Sequence, residues 1–128
     1  MKIRLCEGLL YVTATIEYHG KQLQLRKVLL DTGSVGTLFA IDKLLMLGLE
    51  YEPDDRVHRI RGVGGVEFVF TKRLDRLSLD ELAVSNFEIE VGAMDYGFEI
   101  DGIIGIDFLL EVGAMINLAT LELKSASP

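Results

Sequence analysis

The sequence predicts an all-β fold, a β-sandwich or closed β-barrel carrying one or two short helices. Three observations predict it. Apolar residues alternate with polar ones over long segments, as in Leu10, Val12, Ala14, Ile16 and Tyr18, which is the period of a half-buried strand. Glycines, 13 in all, cluster between such segments as turn punctuation. Helical spacing is confined to two short stretches, too little for alternating strands and crossover helices.

The elements follow in order. Residues 9–18 form a strand, His19-Gly20 a turn, and Gln22–Leu30 a second strand ending in Val28-Leu29-Leu30. Ile41, Leu44, Leu45 and Leu47 share a helical face over Ile41–Leu47, with Gly48 as its stop. Residues 56–72 read as a long hairpin with Gly62-Val63-Gly64-Gly65 at its tip. Further strands are expected over Arg73–Leu79 and Leu82–Val91, where Phe87, Ile89 and Val91 alternate with Glu88 and Glu90. Asp101–Ile104 reads as a buried strand and Asp107–Val112 as a turn or two of helix. Ala114–Leu118 and Thr120–Leu123 close the chain as strands, followed by a disordered Lys-Ser-Ala-Ser-Pro tail. Met94 and Met115 read as core packing.

A chain of 128 residues, 49% hydrophobic and 26% charged, is expected to be one domain spanning 1–128, too apolar for disorder. Its 13 Lys+Arg against 20 Asp+Glu give a net charge of −7. That balance excludes non-specific nucleic-acid binding and a basic membrane-surface helix. Cys6 stands alone, so neither an internal disulfide nor a Cys-based zinc site is expected. Two histidines without metal-ligand spacing argue against a metal, and no cofactor is implied. Glu7 interrupts any apolar leader and no run approaches the length of a span. The expectation is a soluble, cytoplasmic protein.

The sharpest local feature is Leu29-Leu30-Asp31-Thr32-Gly33-Ser34. A carboxylate directly after a buried strand is costly unless hydrogen bonds hold it. Gly33 permits a tight turn, and Thr32 and Ser34 bring hydroxyls. Alone, this triplet reads equally well as a strand ending in a turn. Two further segments accompany it: the glycine-rich tip Ile60-Arg61-Gly62-Val63-Gly64-Gly65-Val66, and Asp101-Gly102-Ile103-Ile104-Gly105 leading into Asp107–Glu111.

In that order and approximate spacing, from about Val28 to Leu123, the three segments resemble the retropepsins, the single-domain retroviral-type aspartic proteases. Residues 1–20 are matched only loosely. The resemblance implies a closed acid-protease barrel with a flap hairpin, assembled as a symmetric homodimer that hydrolyses peptide bonds. Asp31 would be the catalytic carboxylate, Thr32 would bond across the dimer axis, and Gly33 and Ser34 would complete the active-site loop. Arg61, Gly62, Val63, Gly64 and Gly65 would form the flap over bound peptide. Ile103 and Ile104 would line pockets and pack beneath the site. The chain departs from the viral pattern at Val35 and Gly36, where acidic residues are usual, and at Ile106, where an arginine is usual. The charge pairs that brace the viral site should therefore be missing.

One Asp-Thr-Gly per chain cannot supply the two carboxylates this chemistry needs, so a working site requires Asp31 from each of two chains. A different class of function shares the same residues. A retropepsin-fold dimerisation or peptide-binding module would use this fold with little or no cleavage. Other chemistries fit less well. Thr32-Gly33-Ser34-Val35-Gly36 lacks the first glycine and the α/β sheet of a nucleophile elbow. Gly62-Val63-Gly64 has no following helix and is not a dinucleotide fingerprint. His58, at the base of the hairpin, reads as an exposed strand residue.

Overall fold

The computed structural model of the chain describes residues 1–62 and 65–126. Strand β1 (Arg4–Cys6) leads into two ten-residue strands, β2 (Leu9–Tyr18) and β3 (Lys21–Leu30). They are joined through His19 and Gly20 at φ 49° and 82°, the positive values a two-residue hairpin turn needs. A three-residue strand β4 (Leu38–Ala40) precedes helix α1 (Ile41–Leu44). The hairpin β5 (Val57–Gly62) and β6 (Gly65–Leu79) is followed by β7 (Leu82–Gly92), β8 (Gly102–Ile104) and helix α2 (Ile106–Glu111). Strands β9 (Ala114–Asn117) and β10 (Glu122–Ser125) form a terminal hairpin. Among the described residues no helix is long and apolar enough to cross a membrane.

Eight strands pair in the order β1-β2-β3-β8-β4-β7-β6-β5, and β2 also pairs with β6 through Thr15–Glu17. Most neighbours are antiparallel, but β3 runs parallel to β8, and β4 parallel to β7. These parallel pairs bring the end of β3 beside the end of β8, with Leu29 opposite Ile103 and Leu30 opposite Ile104. Adjacent residues on the three central strands point to opposite sides. Leu30, Phe39 and Ile104 enter the main core, while Leu29, Leu38 and Ile103 enter a second apolar cluster with Val69, Met94 and Ile100. Burial on both faces is why these strands read as unbroken apolar runs instead of alternating ones.

Several sequence expectations need correction. The segments read as 56–72 and 73–79 share a single 15-residue strand, β6. The predicted helix over 41–47 tightens after Leu44 into a 3₁₀ turn, Leu45–Leu47, which Gly48 ends at φ 73°. Met94 is buried, but Met115 is half exposed, on a short strand with one wet face. Lys124 and Ser125 belong to β10, not to a loose tail, because the Met1 and Gly113 carbonyls take N–H groups from Leu123 and Ala126.

Candidate active site

The loop after β3 is built from its neighbours' backbone. Leu30 is buried, and the next residue, Asp31, emerges half-buried where the chain leaves the sheet. The Asp31 N–H donates to the Ile104 carbonyl at 3.0 Å, which fixes the start of the loop to β8. Gly33 N–H donates to Asp31 Oδ1 at 2.9 Å, and Ser34 N–H to the Asp31 carbonyl at 3.2 Å. The loop thus curls around the carboxylate and fixes it with a backbone donor. Ser34 Oγ–H closes the turn on the Gly36 carbonyl at 2.8 Å.

Two residues not singled out from the sequence as site residues hold this loop from beneath. Thr37 is fully buried. Its hydroxyl donates to Asp107 Oδ1 at 2.7 Å and accepts from Gly105 N–H at 3.1 Å, and its own N–H reaches Asp107 Oδ2 at 3.3 Å. Ile106 N–H donates to the Ser34 carbonyl at 2.8 Å. Gly105 lies so close under the loop that a Cβ there would sit 2.8 Å from the Ser34 carbonyl oxygen. A hydroxyl–carboxylate brace therefore sits beneath the loop.

The carboxylate opens onto a hollow of about 320 Å³ lined by Leu10, Leu30, Asp31, Thr32, Ile116 and Leu118. Thr32 is exposed. On its other side the loop faces the β5 arm. Gly33, Ser34, Val35 and Gly36 share a cleft of about 290 Å³ with Ile60, Arg61 and Glu90. Glu90 fills the place of a missing side chain, since a Cβ on Gly36 would lie 2.5 Å from Glu90 Oε1. The same carboxylate bonds His58 Nε2, so the β5 arm is tied through Glu90 to β7.

The return arm β6 carries a second tether. Glu67 accepts the Tyr96 hydroxyl and, at 3.2 Å, the Met94 N–H. Burial, with the hydrogen bond to Glu67 and its charge, holds the Tyr96 phenol well above its ordinary ionisation range. Of the residues predicted for the hairpin tip, Arg61 and Gly65 are exposed and Gly62 pairs with Gly65. Val63 and Gly64 lie outside the described residues. Ile103 lies in the second cluster and Ile104, wholly enclosed, in the main core beneath the loop.

Neither Thr37 nor Asp107 shows as a pair in the sequence, because 70 residues separate them. A polar residue at the head of the apolar Leu38-Phe39-Ala40 run was the signal available for Thr37. Among the described residues, no three His, Cys, Asp or Glu side chains gather as a metal site.

Comparison with known proteins agrees with this geometry. The model of a family described as aspartyl protease matches residues 12–108. The crystal structure of a retropepsin-like aspartic protease from Rickettsia conorii superposes with a TM-score of 0.66 over 97% of each chain, at 17% identity. That identity carries the fold alone. No curated protein matches the sequence.

Proposed function

The chain belongs to the aspartyl protease family, and on that premise we propose that it is a homodimeric aspartic endopeptidase with Asp31 as its catalytic residue. The observation that carries the proposal is the Asp31 carboxylate itself. It sits at the mouth of an open hollow, with Gly33 N–H on Oδ1 and a braced loop around it. A carboxylate so placed can take a proton from water or give one to a carbonyl.

Two are needed, one for each task, and like charges held close share a proton instead of both ionising. Each chain has one Asp-Thr-Gly, so the second comes from another copy about a two-fold axis. Support for docking there comes from exposed Thr32 and from the apolar residues that surround the hollow. Leu118 is 65% exposed on its rim, and Leu110 and Met115 are exposed nearby in sequence. In this reading the ring of pairings from β2 through β3, β8, β4, β7 and β6 back to β2 is the closed barrel. The hairpin β5–β6 is the flap, under which peptide lies extended and paired through its main chain. The ionised Asp31 takes a proton from water as its oxygen bonds the scissile carbonyl carbon, and the protonated partner gives its proton to the carbonyl oxygen. On collapse the C–N bond breaks, the first carboxyl passes its proton to the leaving amine, and the second regains one from a hydroxyl of the intermediate.

The test is molar mass by light scattering over a concentration series, with peptide-library cleavage from pH 4 to 7 on the same fractions. Cleavage that tracks the dimer fraction and is absent from Asp31→Asn supports the reading. A stable dimer that cuts nothing, or cleavage retained by clean Asp31→Asn protein, overturns it.

A further inference from the structure

Strand β3 departs from strict pairing at one place. Val12 lies opposite Val28 and Ala14 opposite Leu25, so Arg26 and Lys27 together face the single residue Thr13. Two residues against one make a β-bulge, a device that re-aims side chains and is enriched near active sites. Here it leaves consecutive cations exposed between buried Leu25 and buried Val28.

The surroundings fix this distortion. The Arg4 guanidinium donates to the Arg26 carbonyl and, at 3.1 Å, to Thr13 Oγ1. Lys27 N–H donates to Asp101 Oδ2 at 3.0 Å, and Asp101 N–H returns a bond to the Lys27 carbonyl at 2.8 Å. Asp101 is buried, so the backbone groups of the bulge are satisfied by a built partner.

Arg4, Arg26 and Lys27 line a groove of about 750 Å³ beside the β1–β2 hairpin. Leu5, Leu9 and Phe98 lie exposed along it. Glu7 and Glu99 share the groove, but Glu99 is held by Lys43 at 3.2 Å, so cations are in excess. Among the described residues no carboxylate pairs with the Arg26 or Lys27 side chain. On a chain of net charge −7, this is a local reversal of sign next to apolar surface.

Sharing no lining residue with the hollow at Asp31, the groove runs beside β3, the strand that leads to Asp31. Tyr11 lines the groove and packs against the cluster that holds Leu29 and Ile103, two residues before Asp31 and one strand away. Strand β1 stands at the edge of the eight-stranded sheet, the position at which an extended segment can add as a further strand.

We infer that this groove binds the acidic flank of the peptide substrate, with carboxylates on Arg26 and Lys27 and an apolar side chain among Leu5, Leu9 and Phe98. The inference rests on the protease reading of Asp31 for the identity of its occupant. Its test does not depend on turnover. Reduced-amide peptides with the same apolar centre, flanked by Glu-Glu or by Gln-Gln, are titrated by fluorescence anisotropy against the full chain and against Arg26→Gln/Lys27→Gln. Thermal unfolding checks that the variant is folded, and single Gln variants stand in if it is not.

Exposed charge pairs are individually weak, so two of them predict a preference of about three- to tenfold for the acidic flank. That preference should shrink with added salt and vanish in the variant. Equal binding of both peptides, or a preference that survives Arg26→Gln/Lys27→Gln, overturns it. So does a variant whose molar mass changes while its peptide preference does not, which would assign the groove to a second copy of the chain. Absence of cleavage with the flank preference intact would overturn the protease reading and leave the groove assigned.

Discussion

Replacing Thr37 by valine tests the brace beneath the catalytic loop with almost no change of shape. Thr37 is fully buried, and its hydroxyl serves two partners, Asp107 Oδ1 at 2.7 Å and Gly105 N–H at 3.1 Å. Valine leaves the Gly105 N–H with no partner, at a cost of about 1–3 kcal/mol, and removes a hydrogen bond to a carboxylate worth about 1.5–3 kcal/mol. Asp107 keeps the Phe108 and Thr37 N–H groups, so the two losses overlap. The expected destabilisation is about 3–4 kcal/mol, a large part of the stability of a domain this size. With a urea slope near 2 kcal/mol/M the midpoint falls by about 2 M. Thr37→Ser keeps both bonds and should recover most of the loss. Cleavage by Thr37→Val, assayed where the protein is still folded, should fall because the loop that positions Asp31 hangs from this hydroxyl. A urea midpoint within about 0.3 M of the parent would refute the reasoning, as would a Thr37→Ser variant no better than Thr37→Val.

Other consequences can be checked as directly. Gly105→Ala forces a methyl against the Gly36 carbonyl and to within 2.8 Å of the Ser34 carbonyl oxygen; it should cost about 1–3 kcal/mol by overpacking against backbone, and a thermal midpoint equal to the parent's would contradict the geometry. The Lys72 ammonium bonds Asp55 at 2.9 Å and Glu52 at 2.5 Å. Burial alone would raise the Asp55 carboxyl, but the bonds from Lys72 and Glu52 N–H outweigh it and leave it below its ordinary 3.8. A lowered carboxylate contributes stability above its unfolded value and loses it as pH falls through the folded one. The parent should therefore exceed Asp55→Asn by about 1.5–3 kcal/mol near neutrality, and the gap should close below about pH 4; a gap independent of pH in urea titrations would be the wrong result. Burial lowers the Lys72 ammonium, but its carboxylate partners more than compensate and hold it above 10.5, so its share persists until strongly alkaline pH. The Tyr96 phenol, held high by burial and then by Glu67, should stay protonated while the fold lasts. The 295 nm difference between parent and Tyr96→Phe should then be flat through pH 10 and appear only on alkaline unfolding; a normal titration curve would remove the Glu67 tether.

What could be read from the sequence follows from how local the determinant is. The strand Leu9–Tyr18 shows itself because one face is wet and one is dry, and the His19-Gly20 turn because positive φ selects those residue types. Strand β4 escaped notice since Leu38, Phe39 and Ala40 are all buried and three residues carry no period. Strand β1 escaped for the opposite reason, being exposed throughout. The Asp31 loop was legible as a motif, while its supports were not. Thr37–Asp107, Glu90 against Gly36, and Glu67–Tyr96 join residues 29 to 70 positions apart, and only the long-range pairings of β4 with β8, β4 with β7 and β6 with β7 bring such partners together. The bulge left a faint trace, since the alternation of Leu23 and Leu25 skips two polar residues before Val28.

The central claim, that two chains each contribute Asp31 to one site, is tested most directly by mixing. Parent and Asp31→Asn chains are combined in equal amounts at constant total concentration, allowed to exchange, and assayed for cleavage. If catalysis needs both carboxylates, only pairs of parent chains cut, and activity falls to about one quarter of that of the parent alone. Activity of about one half would mean that a single chain carries the whole site, and the paired-Asp31 account would be wrong.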